Sequence, residues 1–594
     1  MKKAFVLCSL VMLLASCTIT PSVSSISLES SSSNNENSKV SSEDSSEKVA
    51  SSSESLGEEE TLSSEQVSES HSTHISSSEE IYSSEYSSSE EDSSSSELSS
   101  EEDYSYSESE SLEESSLSEQ ESESSIIDSS SESTAKEVAL ESTADYYKLF
   151  DPETEVSIEL SLSDDVARVM SDYQGGSDYT KYKDFYLPGD FKITIDGTTY
   201  TYEDVGVRMK GNTSRHQFVS YNSIDSLVNF KVSFKATFDD DYMLEVPAFE
   251  PYYRTWNDEA ARKKRKDRNL FGLEKLDLKV VPRNYNDENG TYSCLATEIY
   301  AFNAFRDNGI IAPHANISNF KLKNDSSSLD GLMEIIEPID KQMIKRYFSK
   351  DDSKGDLYKC VYKNMGKANF TRTGAVDSNY NRIPDGKIGV EDPFNYYIPL
   401  YQLKTNEKTS DFSSMTNLIK AIWSTSYGGA PLSVLEEVLD IDQFLNFSAI
   451  SYLLGGFDDQ RYNYNNFYLY FVPSTGRVIF IPYDWDWCMG DYFGNNVSTL
   501  TPFDEYTIDG DTPSGIYYST FFKTNNNNHN VTYSRVTMQN KYIDYINKGV
   551  EQGVLDINRF TDLYEKCFGT RDAIEITRVQ SYMETKLSVY NLVD

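Results

Sequence analysis

The sequence predicts an α+β domain, strands first and helices after, carried behind a long disordered segment. Three observations carry this. Residues 18–140 are Ser/Glu low complexity, too poor in apolar residues to offset the entropy of folding. Between Val156 and Ile336, apolar residues repeatedly recur at every second position, the strand period. From Ser410 the spacing lengthens to the helical three and four. The expected boundaries are a signal at 1–16, a Ser/Glu-rich stalk at 17–140, and a domain at 145–594. That domain divides into a β-rich part at 145–340 and a mainly helical part at 341–594.

The start of the chain reads as an export segment. Met1-Lys2-Lys3 is basic and Ala4–Ala15 is a short apolar run, too short to span a bilayer stably. Leu14-Ala15-Ser16-Cys17 resembles a bacterial lipobox, which implies cleavage before Cys17 and lipidation of its thiol. The chain is then expected outside the cytoplasm, held to a membrane or cell surface by acyl chains. Charge agrees with a spacer role for the stalk. Residues 21–140 hold 31 acids against 3 lysines, and the first twenty residues add +2, so −18 of the total −44 stays on residues 141–594. Like charges extend the stalk. An acidic domain argues against nucleic acid as partner. The four cysteines beyond the export segment, Cys294, Cys360, Cys488 and Cys567, lack zinc-finger or CxxC spacing.

Taken in order, Val156–Leu162 alternates as a strand. Asp196-Gly197 is a hairpin turn between Phe191–Ile195 and Thr199–Tyr202. Val205–Met209 runs into a Gly-Asn-Thr-Ser turn, where Arg208, Lys210 and Arg215 sit among small polar residues that suit phosphate. Phe230–Phe238 turns Phe230, Val232 and Phe234 one way and Lys231 and Lys235 the other, as a nucleotide-gripping lysine requires. Arg262–Lys266 is a basic run on a solvated helix or loop. Leu273–Val281, Ile317–Leu322 and Leu332–Ile336 read as strands, and Tyr292–Asn308 as a helix closed by Gly309. Asp377–Gly386 places oxygen side chains at alternate positions as a calcium loop does. Its twelfth position is Ile388, so it is a polar turn, with a structural Ca²⁺ site as the alternative. Helices are expected over Met415–Thr425, Leu432–Asp440 and Ile441–Leu454, and from about 537 to 552 and 556 to 592.

The chemistry concentrates in Gly455–Gly494. Asp458 and Asp459 precede a hairpin of Phe467–Val472 and Val478–Ile481, joined by Pro473–Gly476; Asp484 and Asp486 follow it. Paired strands bring both acidic clusters to one end, with Asn463, Asn465 and Asn466. Carboxylates and carboxamides there form a hard-oxygen site for Mg²⁺ or Mn²⁺. A protein kinase orders its catalytic Asp, metal-binding Asn and metal-binding Asp in the same way.

Four stretches resemble the CotH (spore coat protein H) kinase family of atypical secreted protein kinases. They are Val207-Arg-Met-Lys-Gly-Asn-Thr-Ser-Arg, Phe230-Lys-Val-Ser-Phe, Gly331-Leu-Met-Glu-Ile-Ile-Glu-Pro-Ile-Asp, and Asp458–Tyr470 continuing through Pro482-Tyr-Asp-Trp-Asp-Trp. The resemblance implies a kinase-like two-lobed fold and transfer of the ATP γ-phosphate to Ser or Thr of secreted or envelope proteins. It matches Asp458 or Asp459 to the catalytic Asp, with Asp458 preferred because it follows a Gly-Gly-Phe turn. It matches Asn466 to the family's Asn, with Asn463 as rival, and Asp484 and Asp486 to the metal carboxylates. Lys231, with Lys235 in reserve, matches the nucleotide lysine, and Arg208, Lys210 and Asn212 match the Arg-x-x-Gly-Asn-Ser segment. The GxGxxG, HRD and DFG motifs of conventional kinases are missing from the sequence. A kinase-like surface adhesin without activity is the alternative.

Overall fold

The computed structural model describes residues 143–175, 185–211, 214–235, 256, 258–281, 283–287, 290–361, 368–370, 400–426, 430–456, 458–461, 463–492, 496–504, 529–569 and 573–591. The stalk, Cys17, Asn212 and the 377–386 loop lie outside them.

The chain is mixed α+β. Its β-rich part is a closed seven-stranded barrel of β1 (Val156–Ser161), β2 (Leu187–Ile195), β3 (Thr198–Met209), β6 (Phe230–Ser233), β7 (Lys275–Val281), β10 (Ala315–Lys323) and β11 (Ser328–Ile336), in the order β1-β10-β11-β7-β6-β3-β2. Two ribbons accompany it: β4 (Val219–Ser220) with β5 (Ser223–Ile224), and β8 (Arg283–Asp287) with β9 (Gly290–Cys294). The alternation dictates closure. Ile158, Leu160, Phe191, Ile193, Val207, Val232, Leu276, Leu278 and Ile335 all turn inward and are at most 2% exposed. A closed sheet also leaves no unpaired edge. The seam is the parallel pair β1–β10, with Ile158 beside Phe320. Asp196 (φ 49°) and Gly197 (φ 79°) are both left-handed, as a tight hairpin turn requires.

Helices α1 (Thr143–Leu149), α2 (Asp164–Gln174) and α3 (Glu259–Arg265, in the basic run) belong to this part, and α4 (Thr297–Asp307) follows β9. The expected helix over Tyr292–Asn308 begins five residues later, because Tyr292–Cys294 complete β9. β6 ends at Ser233, short of the expected Phe238.

The second part holds α5 (Lys341–Tyr347), α6 (Ser413–Ser426), the short α7 (Ser433–Glu436), α8 (Ile441–Leu454), α9 (His529–Glu551), α10 (Ile557–Phe568) and α11 (Ala573–Tyr590). It also holds a four-stranded antiparallel sheet of β12 (Leu357–Cys360), β13 (Tyr401–Leu403), β14 (Phe467–Phe471) and β15 (Val478–Pro482), ordered β13-β12-β14-β15. The expected hairpin is β14–β15, both strands buried throughout. Cys360, Cys488 and Cys567 are free thiols. No helix among the described residues is long and apolar enough to cross a membrane.

Candidate functional site

α8 starts on Asp440, whose carboxylate accepts from the Gln443 amide at 3.0 Å. It ends on Gly455 in the left-handed region (φ 64°). A Cβ on Gly455 would lie 2.1 Å from the Tyr582 hydroxyl, and one on Gly456 would lie 2.6 Å from the Trp485 ring. The Gly-Gly pair thus lets the chain leave α8 against two aromatic side chains and deliver Asp458.

Three carboxamides hold Asp458. Asn463 donates to Oδ1 at 2.5 Å, and Asn465 and Asn466 donate to Oδ2 at 3.1 and 3.0 Å. Asp459 does something else. It is 2% exposed, its Oδ1 accepts from the Arg461 amide at 2.8 Å, and its carbonyl accepts from the Asn463 amide. It shapes the turn, while Asp458 faces the acids across the hairpin.

Asn466 and Asp484 close the hairpin ends. The Tyr483 amide donates to the Asn466 carbonyl at 3.0 Å, and Asn466 Nδ2 reaches the Asp484 carbonyl at 3.4 Å. Both residues have left-handed backbones, φ 57° and 60°. Such strain persists where the surroundings over-determine it, as at functional sites.

Opposite stands a residue the sequence reading passed over. β7 turns Leu276 and Leu278 into the barrel and Asp277 and Lys279 outward. Lys279 Nζ lies 2.6 Å from Glu298 Oε2 of α4, 2.5 Å from Asp484 Oδ1 and 3.2 Å from Asp486 Oδ2. The Trp485 amide donates to Glu298 Oε1 at 3.1 Å. Lys231 and Lys235 are placed elsewhere: Lys231 pairs with Asp277 at 3.1 Å, and Lys235 with Glu274 at 2.5 Å. Lys210 joins Lys231 on Asp277 at 2.9 Å, and Arg208 lies over the Tyr186 ring. The ammonium that meets the acidic hairpin is therefore Lys279. Glu298 carried a signal in the sequence. It falls three residues after Leu295 and four before Phe302, an acid on the apolar face of its helix, which demands a buried partner.

The electrostatics separate the acids. Lost hydration raises the Asp458 carboxyl to about 7, with the charges of Asp484 and Asp486 adding to it. Burial also opposes the Asp484 charge, but Lys279 and Lys210 outweigh it and hold that carboxyl down at about 2. Burial opposes Asp277 too, and Lys210 and Lys231 keep it well below the usual carboxylate range. Lys359 of β12 lies 4.3 Å over the Tyr483 ring, and burial pushes its ammonium down to about 7.

One oxygen each of Glu298, Asp484 and Asp486 falls within 4.8 Å of the others. Lys279 bridges all three carboxylates, and the charges of Lys210 and Lys359 also act on Asp484. Three hard oxygen donors converging in this way fit a divalent cation of the Mg²⁺ or Mn²⁺ type.

Residues 222–565 match the family model for CotH kinase protein. The chain belongs to the CotH kinase family. A comparison with curated proteins finds no match. Family membership carries a kinase-related function and implies ATP and a divalent metal.

Proposed function

We propose that the CotH domain transfers the γ-phosphate of ATP to Ser or Thr hydroxyls of secreted or envelope proteins, using the cleft between Lys279 and the acidic hairpin in a kinase-like two-lobed arrangement. The observation that carries this reading is the meeting of Lys279, Glu298, Asp484 and Asp486 beside Asp458. A strand lysine held by a helix glutamate, a metal aspartate and an acceptor-orienting aspartate are the parts phosphoryl transfer uses.

Each side chain has a task. Lys279, steadied by Glu298, donates to phosphate oxygens. Lys210 and Lys231 share the one carboxylate of Asp277 and leave a net positive charge beyond it. Asp458, fixed by Asn463, Asn465 and Asn466, orients the acceptor hydroxyl and takes its proton, for which a carboxyl near 7 is suited. Asp484 and Asp486, with Asn466, would hold the divalent cation, which supplies charge neutralisation at the transferring phosphoryl group. The same reading places the domain outside the cytoplasm, lipid-anchored through Cys17, with the stalk as spacer to Ser-rich acceptors.

Thermal unfolding with ATP and Mg²⁺ or Mn²⁺ tests the site. We expect metal-dependent stabilisation by ATP that Asp484→Ala abolishes. An equal shift in that variant removes the metal assignment, and cell or glycan binding without phosphate transfer favours the adhesin.

A further inference from the structure

The matched region stops at residue 565, yet the site is braced from beyond it. α11 carries Glu575, which is 1% exposed. Its carboxylate accepts from the Leu295 amide at 3.0 and 3.1 Å, one bond to each oxygen, and from the Ala296 amide at 3.3 Å. These amides lie just ahead of α4, whose own N-cap, Ala296, offers no side-chain hydrogen bond. A residue 280 positions away in sequence therefore caps the helix that carries Glu298. Its negative charge also sits at the positive end of that helix.

Arg578, one turn along α11, ties in the other half of the site. Its guanidinium lies 3.6 Å from Glu575, donates to the Met489 carbonyl at 2.7 Å, and stacks 5.2 Å over the Tyr492 ring. Met489 follows Asp486 closely, and this segment is fastened to α4 as well. The Thr297 hydroxyl donates to the Asp486 carbonyl at 3.2 Å, and Trp485 packs edge-on against Phe305.

We infer that Glu575 and Arg578 are positioning residues for phosphoryl transfer: α11 sets the start of α4 and the 484–492 segment relative to each other, so that Glu298 holds Lys279 against Asp484. This rests on the phosphotransferase reading of the site.

The test is a double-mutant cycle in the full chain. Glu575→Ala is expected to lower kcat about tenfold with the ATP KM nearly unchanged, the scale of a lost helix cap. Glu575→Gln, which keeps a carbonyl acceptor, restores most of the rate. In a Glu298→Gln background, Glu575→Ala costs little more, because its effect passes through Glu298. Equal losses in both backgrounds mark Glu575 as structural only and overturn the inference. If Glu575→Ala does not fold, Arg578→Gln, which leaves the cap, enters the same cycle. If the wild-type chain transfers no phosphate, the phosphotransferase reading fails on its own, and Mn²⁺ affinity reads the cycle instead. Weaker Mn²⁺ binding in Glu575→Ala that vanishes in the Glu298→Gln background supports positioning, and independent effects overturn it.

Discussion

Two buried ionic clusters face different fates in this molecule. One joins Lys279, Glu298, Asp484 and Asp486 across β7, α4 and the chain after β15. The other joins Glu337 after β11, Arg346 of α5, His314 before β10 and Tyr146 of α1. There Arg346 pairs with one Glu337 oxygen and His314 Nδ1 lies 3.3 Å from the other. The Tyr146 hydroxyl meets the same imidazole at 2.9 Å, and the Arg346 guanidinium lies 3.9 Å over the Tyr146 ring. Both clusters bridge elements remote in sequence, and both contain a carboxylate no more than 1% exposed. They differ in balance and access. In the second, a single carboxylate is surrounded by donors and sealed, and it fastens α1 to the domain. In the first, three carboxylates converge on Lys279, and the Asp484 side chain is 36% exposed. A closed, balanced cluster is a fastener. An open cluster of converging carboxylates can admit a cation.

The largest expected effect separates the two adjacent aspartates beside the open cluster. Asp458→Asn should lower phosphate transfer by about 10²–10⁴-fold while metal-dependent ATP stabilisation survives, as for loss of a proton acceptor. Asp459→Asn should leave transfer largely intact and lower the thermal midpoint, since it disturbs a turn. Transfer assays with labelled ATP on both variants decide between them.

Next, each cluster is deprived of its cation. Arg346→Met takes the guanidinium from buried Glu337, and Lys279→Met takes the ammonium from buried Glu298. Each should destabilise by about 3–5 kcal/mol in denaturant titrations without metal. Added Mn²⁺ should then restore part of the loss in Lys279→Met and none in Arg346→Met. Equal responses to Mn²⁺ would erase the distinction.

The smallest effect is a pH dependence of the closed cluster. Burial, and then the charge of Arg306, lower the His314 imidazole from its ordinary 6.5, while Glu337 pulls it partly back. The unfolded chain therefore binds the proton first, and stability falls as pH drops below about 6.5. Burial opposes the Glu337 charge, but His314 and Arg346 lower its carboxyl, so its contribution is lost at still lower pH. The thermal midpoint of the wild type should exceed that of His314→Gln by less at pH 5 than at pH 7, with no matching change in ATP affinity at pH 7.

Much of this was legible in residues near one another. The β14–β15 hairpin, the Asp196-Gly197 turn, α8 with its Gly455 stop, and the Asp458-to-Asn466 series are local, set by side-chain period, turn chemistry and capping. The lysine that meets the acidic hairpin was not legible. Lys231 and Lys279 both sit on strands with an apolar opposite face, and each is flanked by residues that suit either role. Only strand register separates them: Lys231 lies across from Asp277 and pairs with it there. Lys279 is two residues further along β7, where α4 and the hairpin converge.

The sequence alone determined the type of most strands and helices, and that two acidic groups flank one hairpin. These follow from interactions within a few residues of each other. Tertiary structure decided the partners: the parallel β1–β10 seam that closes the barrel, the lysine that reaches Asp484, and the reach of Glu575 to the start of α4. Those contacts span tens to hundreds of residues, and a charge's choice of partner depends on which faces meet once the apolar surfaces are buried, which no local pattern encodes.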